Sequence, residues 1–204
     1  EPRTTGTLLK AIFPETAGFV HHDPLPRGRF FSDEGAANHT RLCGAYHEPG
    51  VEIFVYGRQG FDVASEGAMT FPARQSLEAS QAIARLHGLD HTVFVQQNSD
   101  VIDAGVFHND VISVGNGPVF FYHTLAFAKG EGVIQEIQQT VSKCCGQDPI
   151  LIPVSPDEIP VKDAVQSYLF NSQLVTLLNG TMGLIAPVEC RENQCVAAFL
   201  AGLI

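Results

Sequence analysis

A phrase that occurs twice constrains this chain most. Asp103-Ala104-Gly105-Val106-Phe107-His108-Asn109-Asp110-Val111-Ile112-Ser113-Val114 runs into Gly115-Asn116-Gly117 and the apolar stretch Val119-Phe120-Phe121-Tyr122. Farther on, Asp163-Ala164 leads to Phe170-Asn171-Ser172-Gln173-Leu174-Val175-Thr176-Leu177, then Asn179-Gly180 and Met182-Gly183-Leu184-Ile185. Phe, a polar triplet, a hydrophobic strand, an Asn-Gly turn and a second strand recur in register. Self-similarity at a fixed period marks a repeated supersecondary unit. The triplet is His-Asn-Asp in the first copy and Asn-Ser-Gln in the second. A kept scaffold with varied polar residues is expected at a functional mouth.

The flanking pattern extends the unit. Residues 72 to 87 read as a helix, with Pro72 in its first turn, Leu77, Ala79, Ala82, Ile83 and Leu86 on one face, and Gly88 at its end. Val93-Phe94-Val95 follows as a buried strand. A second helix runs around Val133, Ile134, Ile137 and Val141 and closes near Gly146, before the strand Ile150-Leu151-Ile152. Val51-Glu52-Ile53-Phe54-Val55-Tyr56 is an earlier strand. Helix, strand, loop, strand, turn, strand thus begins at about residue 72 and again at about residue 131. Units this short cannot bury a sheet face alone and must stack. The expectation is one α/β domain over 1–204, a propeller-like arrangement left incomplete. The Asn116-Gly117 pair is expected to supply the positive φ of the first hairpin.

Composition narrows the partners. The chain has 204 residues, 45% hydrophobic and 17% charged, with a formal net charge of −10. An acidic surface argues against nucleic acid and anionic membrane, which favour basic partners. It is compatible with a cationic small substrate, or with solubility alone. The five cysteines, Cys43, Cys144, Cys145, Cys190 and Cys195, form no C-x-x-C pair. They give neither a zinc nor a disulfide framework, and a reduced, cytoplasmic setting is expected. No metal or cofactor is called for. His21-His22-Asp23 has nothing nearby to complete a metal site. No stretch is apolar enough to span a membrane. The sequence begins at Glu1 and ends on an apolar stretch, and the expectation is an internal fragment of something longer.

Several residues invite chemistry. Asp33-Glu34-Gly35-Ala36-Ala37-Asn38-His39 sets carboxylates beside small residues, where a guanidinium could be held through paired hydrogen bonds. The same residues could cap a helix, with Ser32 or Asp33 at the N-cap and Glu34 in the first turn. His108 and Asp110, two apart at a strand entry, could face one cleft as an acid/base pair, or His108 could be an ordinary loop histidine. Arg74 at a helix start opposes the helix dipole, which suggests an anion to anchor; a plain surface arginine fits too. Cys144-Cys145 at a helix end has no paired base and reads as structural.

Taken together, Asp33 to His39, Phe54-Val55-Tyr56-Gly57-Arg58, Pro72-Ala73-Arg74-Gln75, Gln96-Gln97-Asn98, Gly105 to Val111, Tyr168 to Leu174 and Pro187-Val188-Glu189-Cys190-Arg191-Glu192 resemble the N-succinylarginine dihydrolase family. The resemblance runs in order over nearly all of the chain. It implies the pentein fold, an α/β propeller of five units around a central active site. It implies hydrolysis of N2-succinyl-L-arginine to N2-succinylornithine, ammonia and carbon dioxide, in a homodimeric bacterial enzyme of arginine catabolism. By resemblance Glu34 and His108 are catalytic, and Arg74 and Asp110 bind substrate. The family's nucleophilic cysteine matches none of the five cysteines here, and its N-terminal substrate-binding loop has no counterpart either. The 204 residues alone are therefore expected not to turn substrate over. A different pentein, such as an arginine deiminase-like enzyme, and a non-catalytic binding or assembly module are the alternatives.

Overall fold

The computed structural model describes residues 2–32, 35–61, 68 and 70–203. A helix, α1 (Pro2–Ile12), opens the chain and ends before Pro14. A long connection follows, with short 3-10 turns at Glu15–Ala17 and Arg29–Phe31. Then come a 3-10 turn at Gly35–Asn38, strands β1 (His39–Cys43) and β2 (Gly50–Tyr56), helix α2 (Leu77–Leu86), β3 (Thr92–Gln96) and the short helix α3 (Ser99–Asp103). Next are a 3-10 turn at Asn109–Val111, β4 (Ser113–Asn116), β5 (Val119–His123), α4 (Glu131–Cys145), β6 (Ile150–Val154) and α5 (Val161–Gln166). A 3-10 turn at Leu169–Asn171 leads into β7 (Gln173–Thr176), β8 (Met182–Ile185), α6 (Glu189–Glu192) and α7 (Gln194–Ala201). Among the described residues no helix is long and apolar enough to cross a membrane.

Among the described residues the strands form three small sheets in a mixed α/β architecture. β1 pairs antiparallel with β2, which pairs parallel with β3 from Glu52↔Thr92 to Tyr56↔Gln96. The second sheet repeats that plan: β4 is antiparallel to β5, and β5 is parallel to β6 from Val119↔Ile150 to His123↔Val154. Parallel neighbours need a crossover, and α2 and α4 supply it. β7 and β8 form a third, two-stranded antiparallel sheet. The sheets do not close into a ring among the described residues, so the expected propeller is seen only as separate small sheets.

β5 explains how the sheets are held. Phe120 and Tyr122 point into one cluster, together with Leu42, Val51, Ile53, Val55, Val93 and Val95 of the first sheet. Phe121 points the other way, into a cluster with Val154, Leu169, Phe170, Cys190 and Val196. A strand covered on both faces reads as a continuous apolar run rather than an alternation. Helix α4 sends Val133, Ile137 and Val141, spaced by four, into the first cluster. β4 lies directly against β1: a Cβ on Gly115 would stand 2.6 Å from Thr40 Cγ2.

Three local expectations change. Helix α2 starts at Leu77, not at Pro72, because the Ser76 hydroxyl caps it by accepting from the Ala79 N–H. The preceding residues run extended: the Gln75 carbonyl accepts from the N–H groups of Gly57 and Arg58. The first hairpin turns on Gly117-Pro118, because Asn116 pairs with Val119, and Gly117 carries the positive φ of 55°. Proline at the second turn position keeps φ negative there, which is the II′ pattern. Finally, the repeat is not in register at its polar triplets. The link from α3 to its 3-10 turn is residues 104–108, whereas that from α5 is only 167–168. His108 therefore precedes its turn, while Asn171 lies inside the equivalent one.

His123 ends β5 wholly buried. Its Nδ1 accepts from the Leu125 N–H at 3.1 Å, and its Nε2 donates to the Ile159 carbonyl at 3.0 Å. Accepting at Nδ1 needs the neutral ring, whereas the Nε2 donor bond is open to either form; burial lowers the pKa below the ordinary 6.5 despite the Ile159 bond. In the unfolded chain the ring takes a proton near 6.5 while the native ring does not, so the unfolded state binds more protons. Stability is therefore expected to fall as pH drops below 6.5 towards the depressed native value. Imidazole NMR titration of the folded protein checks this: a His123 resonance titrating at or above 6.5 contradicts it. His87, also lowered chiefly by burial, acts in the same direction, so the resonances must be assigned individually.

Candidate functional site

Three 3-10 turns, each leading into the first strand of a hairpin, meet at one end of the sheets. Gly35–Asn38 packs against Asn109–Val111, which packs against Leu169–Asn171. The contact is stitched by buried polar groups. The Asn109 N–H donates to Asn38 Oδ1 at 2.9 Å, and the Ser113 hydroxyl donates to Asn109 Oδ1 at 2.8 Å. At the other end, the Cys43 N–H donates to the Gly117 carbonyl, and the Tyr46 hydroxyl meets Asn116 Oδ1 and Thr176 Oγ1. A cavity of about 340 Å³ opens between β1 and β4, with Ala36, Ala37, Asn109, Asp110, Ser113 and Gly115 in its wall.

Among the described residues, Asp110 is the acidic group of that wall. Burial pushes its carboxyl above the ordinary 3.8, opposed by the neighbouring His108. Its Oδ1 is buried without a hydrogen-bond partner, as is Nδ2 of Asn38. A buried acceptor without a protein donor costs its desolvation, so this oxygen is available to a donor on a bound molecule. His108 stands in extended conformation at the start of the turn, half-buried. His108 and Asp110 thus lie together, but not by strand alternation. The turn bonds Val111 N–H to His108 O and Ile112 N–H to Asn109 O, which replaces the expected strand.

Arg74 is exposed, with its guanidinium 5.7 Å from the centroid of the Phe107 ring. Phe71 meets the same ring edge-on at 5.1 Å, and Asp103 Oδ1 accepts from the N–H groups of Thr70 and Phe71. These contacts bring Arg74 beside the residue preceding His108. Because α2 begins later than expected, Arg74 does not oppose a helix dipole, and that argument for an anion lapses. Glu34 lies outside the described residues, as does Asp33; the turn directly after them is the one that touches Asn109–Val111.

All five cysteines are free. Cys190 donates to the Ser167 carbonyl, and burial raises its pKa. Cys195 meets Asn193 Oδ1, Cys145 meets the Pro49 carbonyl, and the thiol of Cys144 is raised by burial and by Cys145. Cys43 lines the cavity but at the far end of β1, roughly 13 Å along the strand from its start at about 3.3 Å per residue. Among the described residues no group of three or more His, Cys, Asp or Glu side chains could hold a metal. In the sequence Asn38, Asn109 and Ser113 have no site role of their own; Asn109 sits in the His-Asn-Asp triplet, and Asn38 sits in the acidic motif, where its small polar side chain beside alanines is the available signal.

The family model for succinylarginine dihydrolase matches residues 1–204. The chain belongs to the succinylarginine dihydrolase family. It is 54% identical over 206 residues to the N-succinylarginine dihydrolase of Pseudoalteromonas atlantica, covering 100% of this chain and 46% of that protein. It is 53% identical to the enzyme of the same name from Aeromonas hydrophila, with the same coverage. The Chromohalobacter salexigens enzyme is 55% identical over 200 residues, 96% of this chain and 43% of the relative. The chain thus spans a little under half the length of the curated succinylarginine dihydrolases it matches.

Proposed function

We propose that this chain forms part of an enzyme that hydrolyses the guanidinium group of N2-succinyl-L-arginine, giving N2-succinylornithine, ammonia and carbon dioxide. The observation that carries this reading is the buried, unpartnered Asp110 oxygen beside His108 at the wall of a cavity. A guanidinium offers only donors, in a planar fork that suits a carboxylate. In this reading Asp110 and Glu34 hold the cation and spread its charge. A thiolate attacks the central carbon, one terminal nitrogen leaves as ammonia with a proton from His108, and His108 then activates water to release the enzyme. A second round removes the other terminal nitrogen, and the carbon leaves as carbon dioxide. Arg74 meets a carboxylate of the succinyl or amino-acid end. The thiol comes from a cysteine other than the five present here.

The fold is read as part of a five-unit pentein propeller, all of 1–204 belonging to one domain with units starting near 72 and 131. Support comes from the two sheets of identical plan and from the succession β1, β4, β7, each touching the next. A cytoplasmic setting agrees with five free cysteines, and a homodimer follows from the resemblance alone.

The test compares substrates. A full-length protein carrying this sequence is expected to release ammonia from N2-succinyl-L-arginine and none from free L-arginine. Equal release from free arginine would instead make it a deiminase-type pentein. Calorimetric binding of succinylarginine without release from either compound would leave a binding module.

A further inference from the structure

We propose that Asn38 is a positioning residue for this hydrolysis: its carboxamide holds the turn that carries His108 and Asp110 in place. The proposal rests on the functional reading of those two residues given above. Asn38 is 2% exposed and immediately precedes β1. Its Oδ1 takes the Asn109 N–H, and Asn109, 2% exposed, in turn takes the Ser113 hydroxyl on its own Oδ1. Asp110 lies in the chain between Asn109 and Ser113. The relay therefore clamps both ends of the segment holding the carboxylate, and it bridges two repeats far apart in sequence.

The orientation of the Asn38 amide follows from chemistry. The Asn109 N–H is a donor, so the group facing it is the oxygen, and Nδ2 faces away. That Nδ2 is buried and has no partner. An open buried donor offsets what the made bond gains, so the Asn38–Asn109 contact adds little net stability while it fixes where the turn sits. The pairing makes sense where the place of the turn matters more than the net stability. Misplacing a reacting group by about 1 Å costs up to about 10²-fold in rate.

The experiment uses the full-length protein and three variants. Asn38→Ala removes the acceptor, Asn38→Asp keeps it, and Ser113→Ala loosens Asn109 from the other side. For folded protein, Asn38→Ala is expected to lower kcat/KM for succinylarginine by about ten- to a hundredfold and to abolish exchange protection of the Asn109 amide. Asn38→Asp is expected to restore that protection and most of the activity. A folded Asn38→Ala protein within twofold of wild type in kcat/KM overturns the proposal, and so does an Asn38→Asp protein no better than Asn38→Ala. Should Asn38→Ala fail to fold, Ser113→Ala decides: a smaller loss in the same direction supports the relay, and unchanged kcat/KM overturns it. Failure of the functional reading is separate, since it appears as absence of turnover in the unsubstituted protein.

Discussion

His108→Ala, made in a full-length protein carrying this sequence, is expected to lower kcat for succinylarginine by about 10³-fold while the dissociation constant stays within a few-fold. General acid–base groups contribute about 10²–10⁴ in rate. The imidazole has two tasks in the proposed cycle, protonating the departing nitrogen and then activating water, so its loss falls on both half-reactions. Binding survives because the carboxylate acceptor at Asp110 is untouched. Burial already pushes the Asp110 carboxyl up, and the neighbouring His108 is what opposes that rise. Removing the imidazole therefore moves the carboxyl further up. A group protonated at higher pH loses its hold on a cation at higher pH, so substrate affinity of the variant is expected to weaken from a higher pH downwards than in wild type. Single-turnover ammonia release and calorimetry at two pH values separate the effects. Full retained activity would remove His108 from the mechanism.

How much of this was legible depended on whether the deciding partner lay nearby in the chain. The apolar spacing of Val133, Ile137 and Val141 is local, and α4 forms where that spacing put it. The buried runs around Val93 to Val95 and Ile150 to Ile152 likewise became β3 and β6. The turn at Asn109–Val111 could not be read in the same way, because the group that fixes its first N–H is the side chain of Asn38, 71 residues earlier. The start of α2 fails for a related reason. Pro72 and Ser76 are both start signals, and the choice is made by the Ser32 carbonyl, which accepts from the Ser76 N–H across the fold. The register of the repeat misled because the stretch 104–108 is longer than its counterpart, a difference that a matched Phe on each side conceals. At the candidate site, residue type draws attention to Asp110 and His108, and they are neighbours through a 3-10 turn that the alternation argument does not describe. Arg74 reaches the same region through Phe107, an aromatic contact with no signature in spacing.

Phe121→Ala is expected to cost about 3–5 kcal/mol, the range for truncating a buried aromatic, against a total of about 5–15 kcal/mol for an ordinary domain. The ring is 1% exposed, with its centroid 4.8 Å from that of Phe170 and 6.2 Å from that of Phe199. It is the aromatic side chain by which β5 of the second sheet enters the cluster formed by the Leu169–Asn171 turn and α7. Phe120, next in sequence and equally buried, faces the opposite cluster and stacks near Tyr122 and Phe127. The two truncations remove the same surface from opposite sides of one strand, so their comparison holds transfer energy constant and varies location. In a stacked repeat, stability is close to a sum of units and their interfaces. Phe121→Ala should then speed amide exchange in β7, β8 and α7 more than in β1 to β3, and Phe120→Ala should do the reverse. Hydrogen exchange read by mass spectrometry distinguishes the patterns. Equal acceleration everywhere from both variants would mean that the clusters unfold as one body, and that the repeats read here are units of geometry without being units of stability.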